Sequence, residues 1–120
     1  MNASLEGRAA FISGAGHGIG RATALEMARL GAIVGVNDLK PEFVEDTVAE
    51  IRRLGGKAVS LPQDVSTREG MRESVLRFAR EAGRLDVMVN NAAWMPQITD
   101  LKPISTMRSM TSGVISARGW

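Results

Sequence analysis

The 120 residues contain no cysteine, no tyrosine and a single histidine, and aromatic side chains occupy only 4% of positions. Without cysteine, neither a disulfide framework nor a thiolate metal site can be built. Without tyrosine, no phenol is at hand for proton transfer. Also missing is any run approaching the roughly 18 unbroken apolar residues of a membrane span. Met1 to Arg8 likewise has no basic stretch leading into an apolar one, as a secretory leader would. A soluble, cytoplasmic protein without membrane contact is expected.

The 44% apolar content suits one ordinary core. Net charge is only +2, but its distribution is uneven. Residues 1 to 100 carry 12 Lys+Arg against 13 Asp+Glu, whereas residues 101 to 120 carry Lys102, Arg108 and Arg118 with no acid and six Ser or Thr. This shift divides the chain into 1–100 and a basic, Ser/Thr-rich tail, 101–120. Three tail cations without an amphipathic face are solvated charge rather than a nucleic-acid surface.

Strand and helix signals alternate. Ala9 to Ser13 has the length and apolarity of a buried strand, and Ile19, Ala22, Leu25 or Glu26, and Leu30 then follow a helical period that stops at Gly31. Ala32 to Val36 is short and β-branched, predicting a second strand. Pro41 suits a first helical position, with Val44, Val48, Ile51 and Leu54 on one face before Gly55-Gly56. Lys57 to Leu61 predicts a third strand. Ser66-Thr67-Arg68-Glu69 has the form of a capping box, opening a helix with Met71, Val75, Phe78 and Ala82 inward and Gly83 at its stop. Leu85 to Val89 predicts the fourth strand. Strands separated by helices of this length imply right-handed parallel crossovers, hence an α/β fold that begins as a Rossmann fold does, with a parallel sheet of about four strands and flanking helices.

Glycines stand at 14, 16, 18 and 20, directly behind the first strand. Bare backbone between a strand and a helix lets a pyrophosphate approach the main chain, where free N–H groups and the helix dipole favour negative charge. The spacing Ser13-Gly14-x-x-x-Gly18-Ile19-Gly20 resembles the Thr-Gly-x-x-x-Gly-x-Gly fingerprint of the short-chain dehydrogenase/reductase family. Asp38, 18 residues beyond Gly20, stands where an acidic side chain can hydrogen-bond an adenosine ribose. Asp64-Val65 resembles the family's adenine contact, and Asn90-Asn91-Ala92-Ala93 its Asn-Asn-Ala-Gly motif.

Over roughly residues 5 to 100 the resemblance implies the sheet order 3-2-1-4 of a Rossmann half. It also implies a dinucleotide site formed by Ser13, Gly14, His17, Gly18, Ile19, Gly20, Asp38, Asp64, Val65, Asn91 and Ala92. Local readings stand beside these roles: Asp38 as a helix-start cap ahead of Pro41, Asp64 as a turn or cap residue before Ser66, and Asn90-Asn91 as a strand-end turn. His17 reads as a loop residue touching phosphate or solvent rather than as a catalyst. Ser13 keeps the hydroxyl of threonine, whereas Ala93 departs from glycine.

Asp38 favours NAD over NADP. A 2′-phosphate about 4 Å from its carboxylate would be repelled by roughly 1 kcal/mol in water and about 4 at intermediate dielectric. Lys40 is the cation best placed to reverse that preference.

The family transfers hydride with a tyrosine as acid–base group, a lysine four residues on, and an upstream serine. No tyrosine is present, and the motif would fall beyond Trp120. Met110-Thr111-Ser112-Gly113 resembles the family's Asn-Leu-x-Gly, with Met110 where its catalytic Asn would stand, so residues past about Leu101 are expected to leave the pattern. Three readings result: a truncated, NAD(P)-binding front half unable to turn over alone, a nucleotide-dependent scaffold or regulator pairing with a full-length relative, or a vestigial product. The fourth strand is expected at the sheet edge, inviting homo- or hetero-oligomers, with only Val114-Ile115 as a substitute neighbour.

Overall fold

The computed structural model describes residues 4–91 and the backbone of 113–116. Its elements are β1 (Ala9–Ser13), α1 (Gly18–Arg29), β2 (Ile33–Asp38), α2 (Pro41–Arg53), β3 (Lys57–Pro62), α3 (Arg68–Ala82), β4 (Val87–Asn90) and β5 (Gly113–Ser116). Pro41 opens α2 as expected, and Gly83 closes α3 in the left-handed region at φ 81°. The cap of α3 lies one residue later than the capping box implies. Thr67 Oγ1 accepts the Gly70 N–H at 3.0 Å, while the Ser66 hydroxyl is drawn away to Asp64 Oδ1 at 2.6 Å.

The sheet order is β3-β2-β1-β4-β5. The first four strands run parallel in the expected order 3-2-1-4, from Ile33 beside Ala9 and Lys57 on one side to Ala10 beside Val87 on the other. The fifth corrects the expectation for β4. Residues 113–116 pair antiparallel along it, Gly113 opposite Asn90 and Ser116 opposite Val87. The antiparallel register puts the start of β5 beside the end of β4. The uncharged Gly-Val-Ile-Ser segment supplies the missing ladder, and β5 becomes the edge.

All five residues of β1 are buried, as a central parallel strand covered on both faces requires. On one face α1 and α2 bury Ile12, Val34, Val36, Val44, Val48 and Ile51. On the other, α3 packs Phe78 and Val75 over Phe11, Leu61 and Met88. Gly35 interrupts β2 because Phe78 takes its space: a Cβ there would lie 2.7 Å from the Phe78 ring.

The inward face of α1 differs from the apolar period of the sequence. Its buried residues are Gly20, Ala24 and Ala28, and Ile19 is 78% exposed. A row of small residues at i, i+4, i+8 lets the helix axis approach the sheet closely, which a face of Ile and Leu would prevent.

The start of β4 is fastened to β1. Asp86 Oδ2 accepts the Ala9 N–H at 2.8 Å, and the Arg84 guanidinium donates to both carboxylate oxygens at 2.7 Å. Those bonds, Arg84's first, hold the Asp86 carboxyl down at about 2.

Candidate functional site

The carboxyl ends of β1, β2 and β4 carry the expected residues to one place. Ser13, the fully buried last residue of β1, spans to β4: its hydroxyl accepts the Asn91 N–H at 3.0 Å and lies 3.2 Å from Asn90 Oδ1. Asn91 Nδ2 in turn donates to the Gly14 carbonyl at 3.4 Å. The strand-end reading of the two asparagines is therefore realised in these bonds, and it fixes the turn that leads into α1.

That turn needs its glycines for two separate reasons. Gly14 and Gly18 adopt φ of 65° and 57°, which side-chain-bearing residues rarely adopt. Gly20 meets a limit of space instead: a Cβ there would overlap the Gly14 carbonyl and stand 2.6 Å from Asn91 Nδ2. The result is a helix N-terminus pressed against the end of β1. His17 is the N-cap residue but makes no side-chain cap bond, and the first turn contains no acid. The first intrahelical bond is Arg21 N–H to the His17 carbonyl at 3.1 Å. The N–H groups of Gly18, Ile19 and Gly20 thus precede the ladder and, with the helix dipole, suit an anion.

On the β2 side, Asp38 is 8% exposed. Its Oδ2 accepts the Gly16 N–H at 2.9 Å and lies 3.0 Å from His17 Nδ1, and its Oδ1 accepts the Leu39 N–H at 2.7 Å. It does not cap α2, whose N-cap is Lys40. Lys40 extends over the Phe43 ring, its Nζ 5.3 Å from the centroid. The largely exposed His17 pairs with Asp38 and sits beside Phe43 with ring centroids 5.8 Å apart, so a carboxylate rather than solvent alone is its neighbour.

Asp64 and Val65 follow β3, next to β2, and the Gln63 N–H reaches the Asp38 carbonyl at 3.1 Å. The Asp64 carboxylate accepts from the Ser66 hydroxyl and N–H, which lower its pKa, so its turn-forming role is realised. Ala92 lies outside the described residues, as do Ala93 and Met110.

A groove of about 860 Å³ opens elsewhere, against residues such as Arg8, Ala32, Lys57 and Arg84, and shares no residue with the glycine turn. Arg8 and Arg84 are already paired with Asp86, so two of its cations are engaged. The glycine turn, with unpaired N–H groups aimed along one helix axis, is the better candidate. Among the described residues no cluster of three or more His, Asp or Glu could hold a metal.

Residues 8–116 match the family described as short chain dehydrogenase. The chain belongs to that family. It is 34% identical over 106 residues to a short-chain dehydrogenase/reductase homolog of Bacillus subtilis, YusS, covering 88% of this chain and 94% of that one. It is 40% identical over 89 residues to human 17-beta-hydroxysteroid dehydrogenase 13, covering 74% of this chain and 30% of the relative. It thus spans about a third of the length of that relative. Among solved structures, a 7α-hydroxysteroid dehydrogenase complexed with NADH and 7-oxo glycochenodeoxycholic acid is similar at 33% identity and a TM-score of 0.77, over 89% of this chain and 42% of that one. As a short-chain dehydrogenase family member, the chain has an oxidoreductase ancestry and a Rossmann sheet of the kind that binds NAD(P).

Three residues at the site carry no role in the motif itself. Gly16 supplies a donor to Asp38, Thr47 in α2 binds the Ala15 carbonyl at 3.1 Å, and Gly70 lies so close to the Asp64 carbonyl that any Cβ would overlap it. The alternating glycines were the available sign of Gly16. Nothing in the local sequence marks Thr47 or Gly70, because their partners lie 32 and 6 residues away.

Proposed function

We propose that this chain binds a nicotinamide dinucleotide, NAD(H) in preference to NADP(H), and that its 120 residues do not complete hydride transfer alone. The observation that carries the reading is the uncapped, acid-free N-terminus of α1 beside the Asp38 carboxylate, two complementary sites on one glycine turn. In this reading the N–H groups of Gly18, Ile19 and Gly20 hold the pyrophosphate, and Asp38 accepts from the adenosine ribose. Gly14 and Gly20 keep the approach open, and Ser13 with Asn91 braces it. Asp64, Val65 and the exposed Leu39 flank the adenine. His17 and Ile19 stand at the mouth, and Ala92 continues the Asn91 side. When bound, the nicotinamide would supply hydride exchange with a carbonyl or alcohol carbon. The chain contributes position, and the tyrosine that the family uses for the matched proton transfer is not among its 120 residues.

The second reading is a nucleotide-binding scaffold or regulator that associates with a full-length relative or with itself. Its support is the Bacillus subtilis relative, matched over 94% of its own length. Any pairing through the sheet edge would use β5 or β3, because β4 is already paired on both sides.

Titration of NADH fluorescence against the purified chain tests the first reading, with NADPH in competition and a carbonyl substrate panel assayed in parallel. Saturable NADH binding, weaker NADPH binding and no turnover are expected. Equal or tighter NADPH binding, or a rate that follows the protein through purification and vanishes in Gly18→Val, would refute it.

A further inference from the structure

We infer that Gly16 is the positioning residue for the Asp38 carboxylate: its main-chain N–H and its missing side chain together fix the acceptor that selects NAD(H). The inference rests on the dinucleotide reading above and adds a specificity-determining residue to it.

An ionised carboxylate offers about four acceptor sites. Three are used here, by the N–H groups of Gly16 and Leu39 and by His17 Nδ1. The His17 ring is largely exposed and can swing away, whereas the two amides belong to the main chain on either side of the carboxylate. Gly16 and Leu39 therefore set its orientation. They leave one site on Oδ1, and the one under His17, for ribose hydroxyls.

The demand on position 16 is spatial. Gly16 is not among the positive-φ glycines, so alanine brings no backbone strain there. A Cβ would, however, lie 2.8 Å from Asp38 Oδ2, 3.1 Å from Asp38 Cβ and 2.6 Å from Phe43 Cβ. The Phe43 atom is rooted in the first turn of α2, next to the buried Val44, and cannot rotate aside. A side chain at 16 must then either push the loop off α2, breaking the 2.9 Å bond to Oδ2, or turn the carboxylate. Either way the carboxylate moves relative to the α1 N-terminus, and one ligand can no longer meet both.

The test is a cycle in the 120-residue chain, with NADH and NADPH affinities measured for wild type, Gly16→Ala, Asp38→Ala and the double variant. Gly16→Ala is expected to weaken NADH about tenfold when Asp38 is present, the worth of one hydrogen bond to a charged group. On the Asp38→Ala background the carboxylate is gone and the Cβ contacts, Phe43's foremost, are left to displace the loop, so the loss should shrink to about threefold or less, and each single variant should narrow the NADH/NADPH ratio. Equal losses on both backgrounds, or no loss, overturn the inference. A second readout needs no cofactor and no variant at 16. The Gly16 amide proton resonance should move upfield in Asp38→Ala, and a resonance indifferent to that change also overturns the inference, even where NADH binds. A wild type that ignores NADH while the Gly16 resonance responds to Asp38 would instead refute the dinucleotide reading and end the specificity role with it.

Discussion

Asp86 offers a calculable perturbation far from the glycine turn. Its carboxyl is held at about 2 against an ordinary 3.8, first by the Arg84 hydrogen bonds and then by the Ala9 N–H, the Arg84 charge and Arg8. A depressed carboxylate contributes stability that is complete above the unfolded value and is lost as pH falls through the folded one, here between about pH 4 and pH 2. At roughly 1.36 kcal/mol per tenfold the difference corresponds to about 2.4 kcal/mol. Arg84 is half exposed, so solvent screening brings the expected value nearer about 1.5 kcal/mol. Asp86→Asn removes the charge with little change of shape. Urea unfolding of wild type and variant from pH 7 to pH 2 should therefore show a gap of that size at neutral pH, constant down to about pH 4.5 and closing toward pH 2. A gap that stays the same at pH 2.5 would refute the argument, since the contribution would then not depend on the carboxylate's charge. NADH affinity at pH 7 should be unaffected.

Gly20→Ala should lower NADH affinity at least about tenfold and destabilise the fold by about 1–3 kcal/mol, because its Cβ falls on the Gly14 carbonyl; titration and thermal melting separate the two effects. Phe78→Ala empties the space between α3 and β2 and should cost about 3–5 kcal/mol in urea unfolding. The double variant Val114→Pro with Ile115→Pro removes ladder donors from β5, so the β4 edge opens and sedimentation velocity should show self-association at concentrations where wild type shows less.

The order of elements was readable because most carry a local sign: short apolar runs, β-branched in β2, Pro41 at a helix start, Gly83 at a helix stop. The four family motifs were readable for a similar reason, since Gly14, Gly18, Gly20 and Asp38 keep fixed spacing. What escaped was set by neighbours distant in sequence. Which face of α1 turns inward depends on how closely it must approach β1, and Gly20, Ala24 and Ala28 satisfy that need with little hydrophobic signal. The cap of α3 moved to Thr67 because Asp64 competes for Ser66, a contest between two short-range bonds that a capping-box pattern does not weigh. The pairing of β5 with β4 joins residues more than twenty apart in a segment of weak periodicity. Asp38 was assigned to a ligand, yet three internal donors already hold it, and that wiring is invisible until the loop and the strand end lie side by side.

The glycine turn has a consequence for how such a site can be surveyed. Alanine scanning works by subtraction: a side chain is cut back and the lost function reports what it did. At positions 14, 16, 18 and 20 there is nothing to cut, and the proposed contacts are made by main-chain groups that every substitution except proline retains. A subtractive survey of this chain would score His17, Asp38 and Asn91 and pass over the elements that hold them in place. The informative experiment there is addition, one methyl group at a time, with the closeness of the surrounding atoms read from the size of each loss.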